Sequence, residues 1–300
     1  MSTRANSPRS GACAVAPCRK VHPAERNGTM NKIVETYSRL ADEYRRDEAS
    51  QSCWFLAAEK ALAAIELKDR YRTVADIGCG TGRALCELAS RGGDDRRFIG
   101  VEPADNMRAL AAELARGQAN IRLFNGSFEQ IPLESKSIDY LYSILAFHWT
   151  TNLTRSAEEV ARVLKDDGDM DLFFIGRNNG YEFIRKTTPV FLKYMGPVAL
   201  LRSAGMRQQL TKDEAQQLFS KAFAGREVTV EESHDTYFDT LEGHWTWWVR
   251  IEGQLVDIPA EKRADCDRAV KDAIAALQTP EGIPYTIHML RVKVRNQAGA

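Results

Sequence analysis

The chain has 300 residues, 44% of them hydrophobic and 27% charged, an ordinary globular composition. That excludes a wholly disordered chain, a collagen-like chain and a coiled coil. Lys and Arg total 41 and Asp and Glu total 41, so no charge surplus draws the chain to nucleic acid or anionic lipid. No apolar run reaches the roughly 18 residues of a membrane span. The six cysteines show no CxxC pair and no zinc-finger spacing, and read as reduced thiols of a cytoplasmic protein. No grouping of His, Cys, Asp and Glu has metal-ligand spacing, so no metal is expected.

Residues 1–30 carry Pro, Ser, Gly, Ala and Arg with a single acid, Glu25, and are expected to form a disordered tail. Tyr37, Leu40 and Tyr44 share one helical face within 31–50, and a second helix is expected over about 54–67. Strands are then expected at 73–77, 97–101, 121–125, 138–145 and 169–176, with helices at 82–91, 104–117 and 153–164 among them. Lys165-Asp166-Asp167 reads as a turn after the last of these helices. Such a rhythm implies a mostly parallel sheet with right-handed crossovers. From 177 the rhythm breaks. A helical stretch over 179–222, interrupted at Gly196-Pro197, precedes a strand at 228–238. An aromatic-rich helix over 241–255, a helix over 259–278 and an alternating strand at 286–296 complete the chain. This divides 31–300, read as one domain, into a helical cap (31–70), a ligand-binding core (71–176), a helical insertion (177–225) and a C-terminal part (226–300).

The most informative stretch is Val74-Ala75-Asp76-Ile77-Gly78-Cys79-Gly80-Thr81-Gly82. A strand ends, glycines make the turn and a helix begins. The dinucleotide fingerprint G-x-G-x-x-G needs a glycine where Arg83 stands. Asp76, just before the turn, opposes a pyrophosphate and favours a ligand that bears an ammonium group. Glu102 ends the second strand and can accept hydrogen bonds from both hydroxyls of a ribose. The two acids together suit a nucleoside that carries an amine and no phosphate.

These residues resemble the class I S-adenosylmethionine-dependent methyltransferases over about 37–176. VADIGCGTG is similar to that family's first motif, FIGVEPADNM to the second, NGSFEQIP to the third and IDYLYS to the fourth. VLKDDGDMDLFF is similar to its V-L-x-P-G-G strand, with Asp166-Asp167 in place of Pro-Gly. SILAFHW and YSRLADEY look closest to the branch of trans-aconitate and malonyl-carrier O-methyltransferases. The resemblance implies a doubly wound, Rossmann-like α/β fold with a seven-stranded sheet, an N-terminal helical cap and a helical insertion after the fifth strand. It implies S-adenosylmethionine as the cofactor, held by Tyr44, Asp76, Gly78, Gly80, Glu102, Pro103, Met107, Ser127, Phe128 and Ser143. Ser127 stands where the family usually has an Asp that takes the adenine amino group.

Methyl transfer from a sulfonium needs alignment at about 3 Å and exclusion of water. A base is needed only if the nucleophile still holds its proton. His148 follows the fourth strand, where open α/β sheets bind ligands, and is the candidate catalytic residue. A substrate contact or a packing role for it stays open. Tyr142, Trp149 and Trp245 are the candidates for an aromatic acceptor pocket. Trp247 and Trp248 are neighbours about 100° apart on a helix, so at most two of the three late tryptophans face one pocket. The expected activity is methylation of a small organic acid, aromatic or isoprenoid-like metabolite, on oxygen or carbon, with no nucleic-acid or membrane partner. The rivals are an NAD-dependent oxidoreductase and a methyltransferase-like binding module without turnover.

Overall fold

The computed structural model describes residues 28–47, 52–249, 253 and 256–296. The expected tail lies almost wholly outside the described residues. Two helices, α1 (Gly28–Arg39) and α2 (Ala41–Asp47), replace the single helix expected there, and α3 (Cys53–Ala63) follows. Ser52 starts α3 because its hydroxyl accepts the Phe55 N–H at 3.2 Å.

The alternating core forms as its sequence pattern demands. β1 (Thr73–Ile77), β2 (Arg97–Val101), β3 (Ile121–Phe124), β4 (Ile138–Ile144) and β5 (Leu164–Ile175) pair in parallel. They are joined through α4 (Arg83–Gly92), α5 (Asp105–Leu114) and α6 (Leu153–Val163). β1 and β4 are buried nearly throughout, as parallel strands covered on both faces should be. Asp139 sets their register at the lower end: its carboxylate accepts the Arg72 and Thr73 N–H groups at 3.1 and 2.8 Å and holds Lys165 at 2.6 Å.

β5 begins directly at the end of α6, so Lys165-Asp166-Asp167 lies within the strand and not in the expected turn. The extra length is taken up by a register shift against β4 between Ile138 and Tyr140. Gly168 sits there because a Cβ would lie 2.9 Å from the Ile138 carbonyl oxygen.

The second half completes the same sheet. α7 (Tyr181–Ala204) bends at Gly196, which has φ +76°, the interruption expected from Gly196-Pro197. α8 (Lys212–Ala222) opens with a capping box between Thr211 and Glu214. β6 (Glu227–Asp239), α9 (Leu241–Trp247), α10 (Arg263–Ala275) and β7 (Ile283–Arg295) follow. β7 runs antiparallel to both β5 and β6, and the seven strands lie in the order β3-β2-β1-β4-β5-β7-β6. Buried Asp171 ties the antiparallel half to the parallel half, accepting from Tyr140 at 2.8 Å and from Arg291 and Arg295 at 2.7 Å. Among the described residues, no helix is long and apolar enough to cross a membrane.

The order reverses beside β1: its first crossover leads to β2 on one side, and β4 lies on the other. A crevice opens at the carboxyl ends of the strands at such a point. α1 and α2 lie over it.

Candidate functional site

The crevice floor is the turn between β1 and α4. Gly78, Gly80 and Gly82 have φ of +76°, +54° and +81°, a region that residues with a Cβ rarely adopt. The Gly78 N–H donates to the Val101 carbonyl at 2.7 Å, holding the turn against β2. A Cβ at Gly78 would lie 2.4 Å from the Ala146 Cβ, whereas nothing approaches the same point at Gly80 within 4 Å. Gly78 therefore brings two chain segments together, and Gly80 keeps backbone bare toward the crevice. Gly78→Ala should cost about 1–3 kcal/mol of stability through the clash and the left-handed backbone, read by urea unfolding.

Two buried carboxyl groups face this turn. Glu102 is fixed at both oxygens: Oε2 accepts the Gly80 N–H at 3.0 Å and Oε1 the Ala104 N–H at 2.8 Å. Burial pushes its pKa up, and the two backbone donors pull it down. Asp76 is buried more completely, and its Oδ1 has no hydrogen-bond partner. Burial raises its pKa to about 8; the nearby Tyr142 hydroxyl opposes this and Glu102 adds to it. The Tyr142 hydroxyl is itself unpartnered, so the two groups attract each other without a fully formed hydrogen bond. A buried acid lacking a partner at the floor of a crevice is the expected mark of a site for a cation.

Met107, Pro103, Ser127 and Phe128 form one side of the crevice. Tyr37 and Tyr44 reach in from the cap, with rings 5.9 Å apart and edge to face. The Ser38 hydroxyl and carbonyl accept from Asn106 at the start of α5, tying the cap to this side. Opposite, β4 is followed by Leu145, a non-glycine residue with φ +56°, and the short turn Phe147–Trp149 brings Trp149 into the lining.

Of the residues singled out in the sequence, Tyr44, Asp76, Gly78, Gly80, Glu102, Pro103, Met107, Ser127, Phe128 and Trp149 all line this one crevice. Tyr142, Ser143, His148 and Trp245 do not. Tyr142 and Ser143 are fully buried beneath the floor, and the Ser143 hydroxyl has no partner. His148 is buried behind Trp149, its ring centroid 4.9 Å from that of Trp149, with Nδ1 unpartnered. Burial, aided by Arg207, holds its pKa well below the usual imidazole range. Trp245 lies beneath the Lys271 ammonium on α10, 5.4 Å away. Trp247 stacks on Trp54 at 5.2 Å and Trp248 on Phe191 at 5.5 Å, so both anchor α9 to the body of the protein.

One functional candidate was missed in the sequence. Glu129 lines the crevice beside Ser127. Its Oε1 accepts from the Thr150 hydroxyl and the Thr151 N–H, both at 2.6 Å, while its buried Oε2 has no partner. Burial pushes this carboxyl up, but the Thr150 and Thr151 donors outweigh it and leave the pKa lowered. The available signal was position: Glu129 is the first acid after Ser127.

With this geometry in hand, residues 75–170 match the methyltransferase domain family. The chain carries a methyltransferase domain. The chain is 36% identical over 97 residues to a sarcosine/dimethylglycine N-methyltransferase of Aphanothece halophytica, covering 32% of this chain and 35% of that protein. A malonyl-[acyl-carrier protein] O-methyltransferase of Nitrosospira multiformis is 26% identical over 165 residues, 46% of this chain and 53% of that protein. The chain thus spans from about a third to about half the length of these curated relatives. The solved structure of YcgJ from Bacillus subtilis superposes with a TM-score of 0.55 at 18% identity, covering 81% of this chain and 99% of that one. A methyltransferase from Thermotoga maritima gives 0.51 at 18% identity, covering 87% and 97%. The fold is therefore the α/β fold of S-adenosylmethionine-dependent methyltransferases, and helices α1 to α3 precede its first strand.

Proposed function

We propose that the protein transfers a methyl group from S-adenosylmethionine to a small organic acceptor. The observation that carries this reading is the buried Asp76 carboxyl, its Oδ1 without a hydrogen-bond partner, set before a glycine turn with Glu102 fixed nearby. Asp76 pairs with the cationic amino-acid end of the cofactor. Glu102 keeps lone pairs for the two ribose hydroxyls while its present partners hold it still. Met107, Pro103 and Phe128 sandwich the adenine, Ser127 shapes the loop beside it, and Glu129 Oε2 accepts the adenine amino group in place of the missing Asp at 127. Tyr44 closes the cap over the cofactor.

The bound sulfonium supplies a methyl group that is already activated. The protein aligns the acceptor with it and excludes water, and Tyr37, Tyr44 and Trp149 do the excluding. His148, neutral and weakly basic behind Trp149, serves as a hydrogen-bonding support of the acceptor side better than as the base. Ser143 and Tyr142 support the floor from below. Cys53, Cys79, Cys86 and Cys266 are buried, and the compartment is read as reducing and cytoplasmic from the cysteine spacing.

Calorimetry with S-adenosylmethionine, S-adenosylhomocysteine and NAD tests the reading. The first two should bind and NAD should not; the reverse preference overturns it. Labelled donor incubated with a metabolite panel then reads turnover by mass spectrometry. Glu129→Gln should weaken S-adenosylhomocysteine about tenfold, or about 1.4 kcal/mol. It should leave S-inosylhomocysteine, which carries a carbonyl in place of the amino group, almost unchanged. Equal losses for both ligands would remove Glu129 from the adenine.

A further inference from the structure

We propose that α7 is a docking surface for an anionic lipid membrane, on which it lies with an exposed apolar stripe in the acyl boundary and its cations at the headgroups. This goes beyond the methyltransferase reading and does not depend on it.

Nine large hydrophobic side chains are exposed among the described residues, and five of them, Tyr181, Ile184, Leu192, Val198 and Leu201, lie on α7. Val198 and Leu201 are the most exposed of the nine, at 69% and 73%. α7 packs on α10 and β7, and Phe183, Thr187 and Phe191 form its buried side. At about 100° per residue, the next positions round the helix are Ile184, Tyr181 and Leu192, which make an apolar stripe. Arg185, Lys193 and Lys186 come after them and border it. Beyond the bend at Gly196, Val198 and Leu201 share a face three residues apart.

The balance of 41 cations and 41 anions predicts no membrane partner for the chain as a whole. The fold nevertheless gathers cations without acids on this surface. The sole acid of α7, Glu182, is engaged by β7, accepting from the Thr286 N–H at 3.2 Å and from the Thr286 hydroxyl. Arg202 pairs with Asp257 at 3.5 Å, and Arg185, Lys186 and Lys193 have no ion pair among the described residues. An apolar stripe bordered by cations is the pattern of a helix that lies in a membrane interface. The cations meet anionic headgroups while the apolar side chains enter the acyl boundary. A second copy paired about a two-fold axis would set the same three cations against one another. A nucleic acid would take the cations and leave the stripe in water. α7 also leads into the loop that walls the crevice, where Met206 packs against Ile33, Tyr37 and Trp149 and the Gln208 N–H donates to the His148 carbonyl at 2.8 Å. The docking surface therefore adjoins the crevice wall at Trp149.

The test sediments the full chain with vesicles of phosphatidylcholine and phosphatidylserine, three to one, and with vesicles of phosphatidylcholine alone. The chain should bind the first and hardly the second, and salt should weaken the binding. The triple variant Arg185→Gln, Lys186→Gln, Lys193→Gln should bind roughly a hundredfold more weakly. Val198→Ser with Leu201→Ser should lose about tenfold or more. Leu114→Ser, at an exposed apolar residue of α5, should lose nothing. Leu201→Trp adds a reporter whose emission, taken as the difference from wild type, should shift to the blue on the anionic vesicles. Circular dichroism confirms that each variant is folded. Failure of the wild-type chain to bind the anionic vesicles overturns the proposal, as does binding that the α7 variants leave unchanged. Binding without the blue shift would give the cations to an acidic partner, and a dimer that the serine variant dissolves would give the stripe to a second copy; either result overturns the lipid assignment. The methyl-donor reading is decided separately, by the calorimetry above.

Discussion

Glu102→Ala should weaken S-adenosylhomocysteine by roughly a thousandfold. Two ribose hydroxyls lose a charged acceptor, about 3–6 kcal/mol before water compensates. The Gly80 and Ala104 N–H groups also lose the partner that now fixes the turn at 3.0 and 2.8 Å. The Glu102→Gln variant separates these effects, since it keeps an acceptor in place and removes the charge. Calorimetry should rank the affinities wild type, Gln, Ala. An alanine variant that binds as tightly as the wild type would sink the assignment of Glu102 to the ribose.

The second large effect is set by pH. With its pKa near 8 in the empty protein, Asp76 is mostly protonated at neutral pH. A cationic ligand needs the carboxylate, so binding must release a proton and affinity must rise with pH until Asp76 is ionised. Between pH 6 and pH 8 the gain should be roughly fiftyfold, from the change in ionised fraction alone. Calorimetry in buffers of different ionisation enthalpy should detect the released proton. Asp76→Asn should bind weakly at every pH and show no such slope.

Stability of the empty protein should run the opposite way. The folded pKa is raised above the ordinary 3.8, so the folded state holds its proton more tightly than the unfolded chain. Stability is therefore lost as pH rises from about 4 through about 8. Asp76→Asn should remove that slope and leave the cofactor-free chain more resistant to urea than wild type at pH 8. A wild-type affinity and stability both flat across this range would place Asp76 in water rather than in a buried site.

The core was legible because parallel strands and their crossover helices are local patterns. The run TVADI, the glycine turn and the acid ending RFIGV each declare a role within a few residues. Glu129 was legible only in part: the eye goes to Ser127, where the acid is absent, and the substitute stands two residues on. His148 and Trp245 show the limit. Residue type and strand end suggested a pocket, but which way a side chain turns is decided by packing partners far along the chain. Trp245 meets Lys271, and His148 is buried against Trp149. The loop after α7 folds back onto the turn after β4 through the Gln208 N–H and the His148 carbonyl, a contact of long sequence separation.

α1 carries a consequence beyond coverage. Tyr37 lines the crevice together with Glu102 and Trp149, its ring 5.7 Å from that of Trp149, and the same helix is tied to α5 through Ser38. On the proposed reading donor and acceptor both touch this one element, which makes their affinities depend on each other. Whatever factor the donor adds to the acceptor's affinity by settling α1, the acceptor must return to the donor in equal measure. The site is then a two-ligand thermodynamic cycle with α1 as its shared edge, and one measured coupling constant describes both directions.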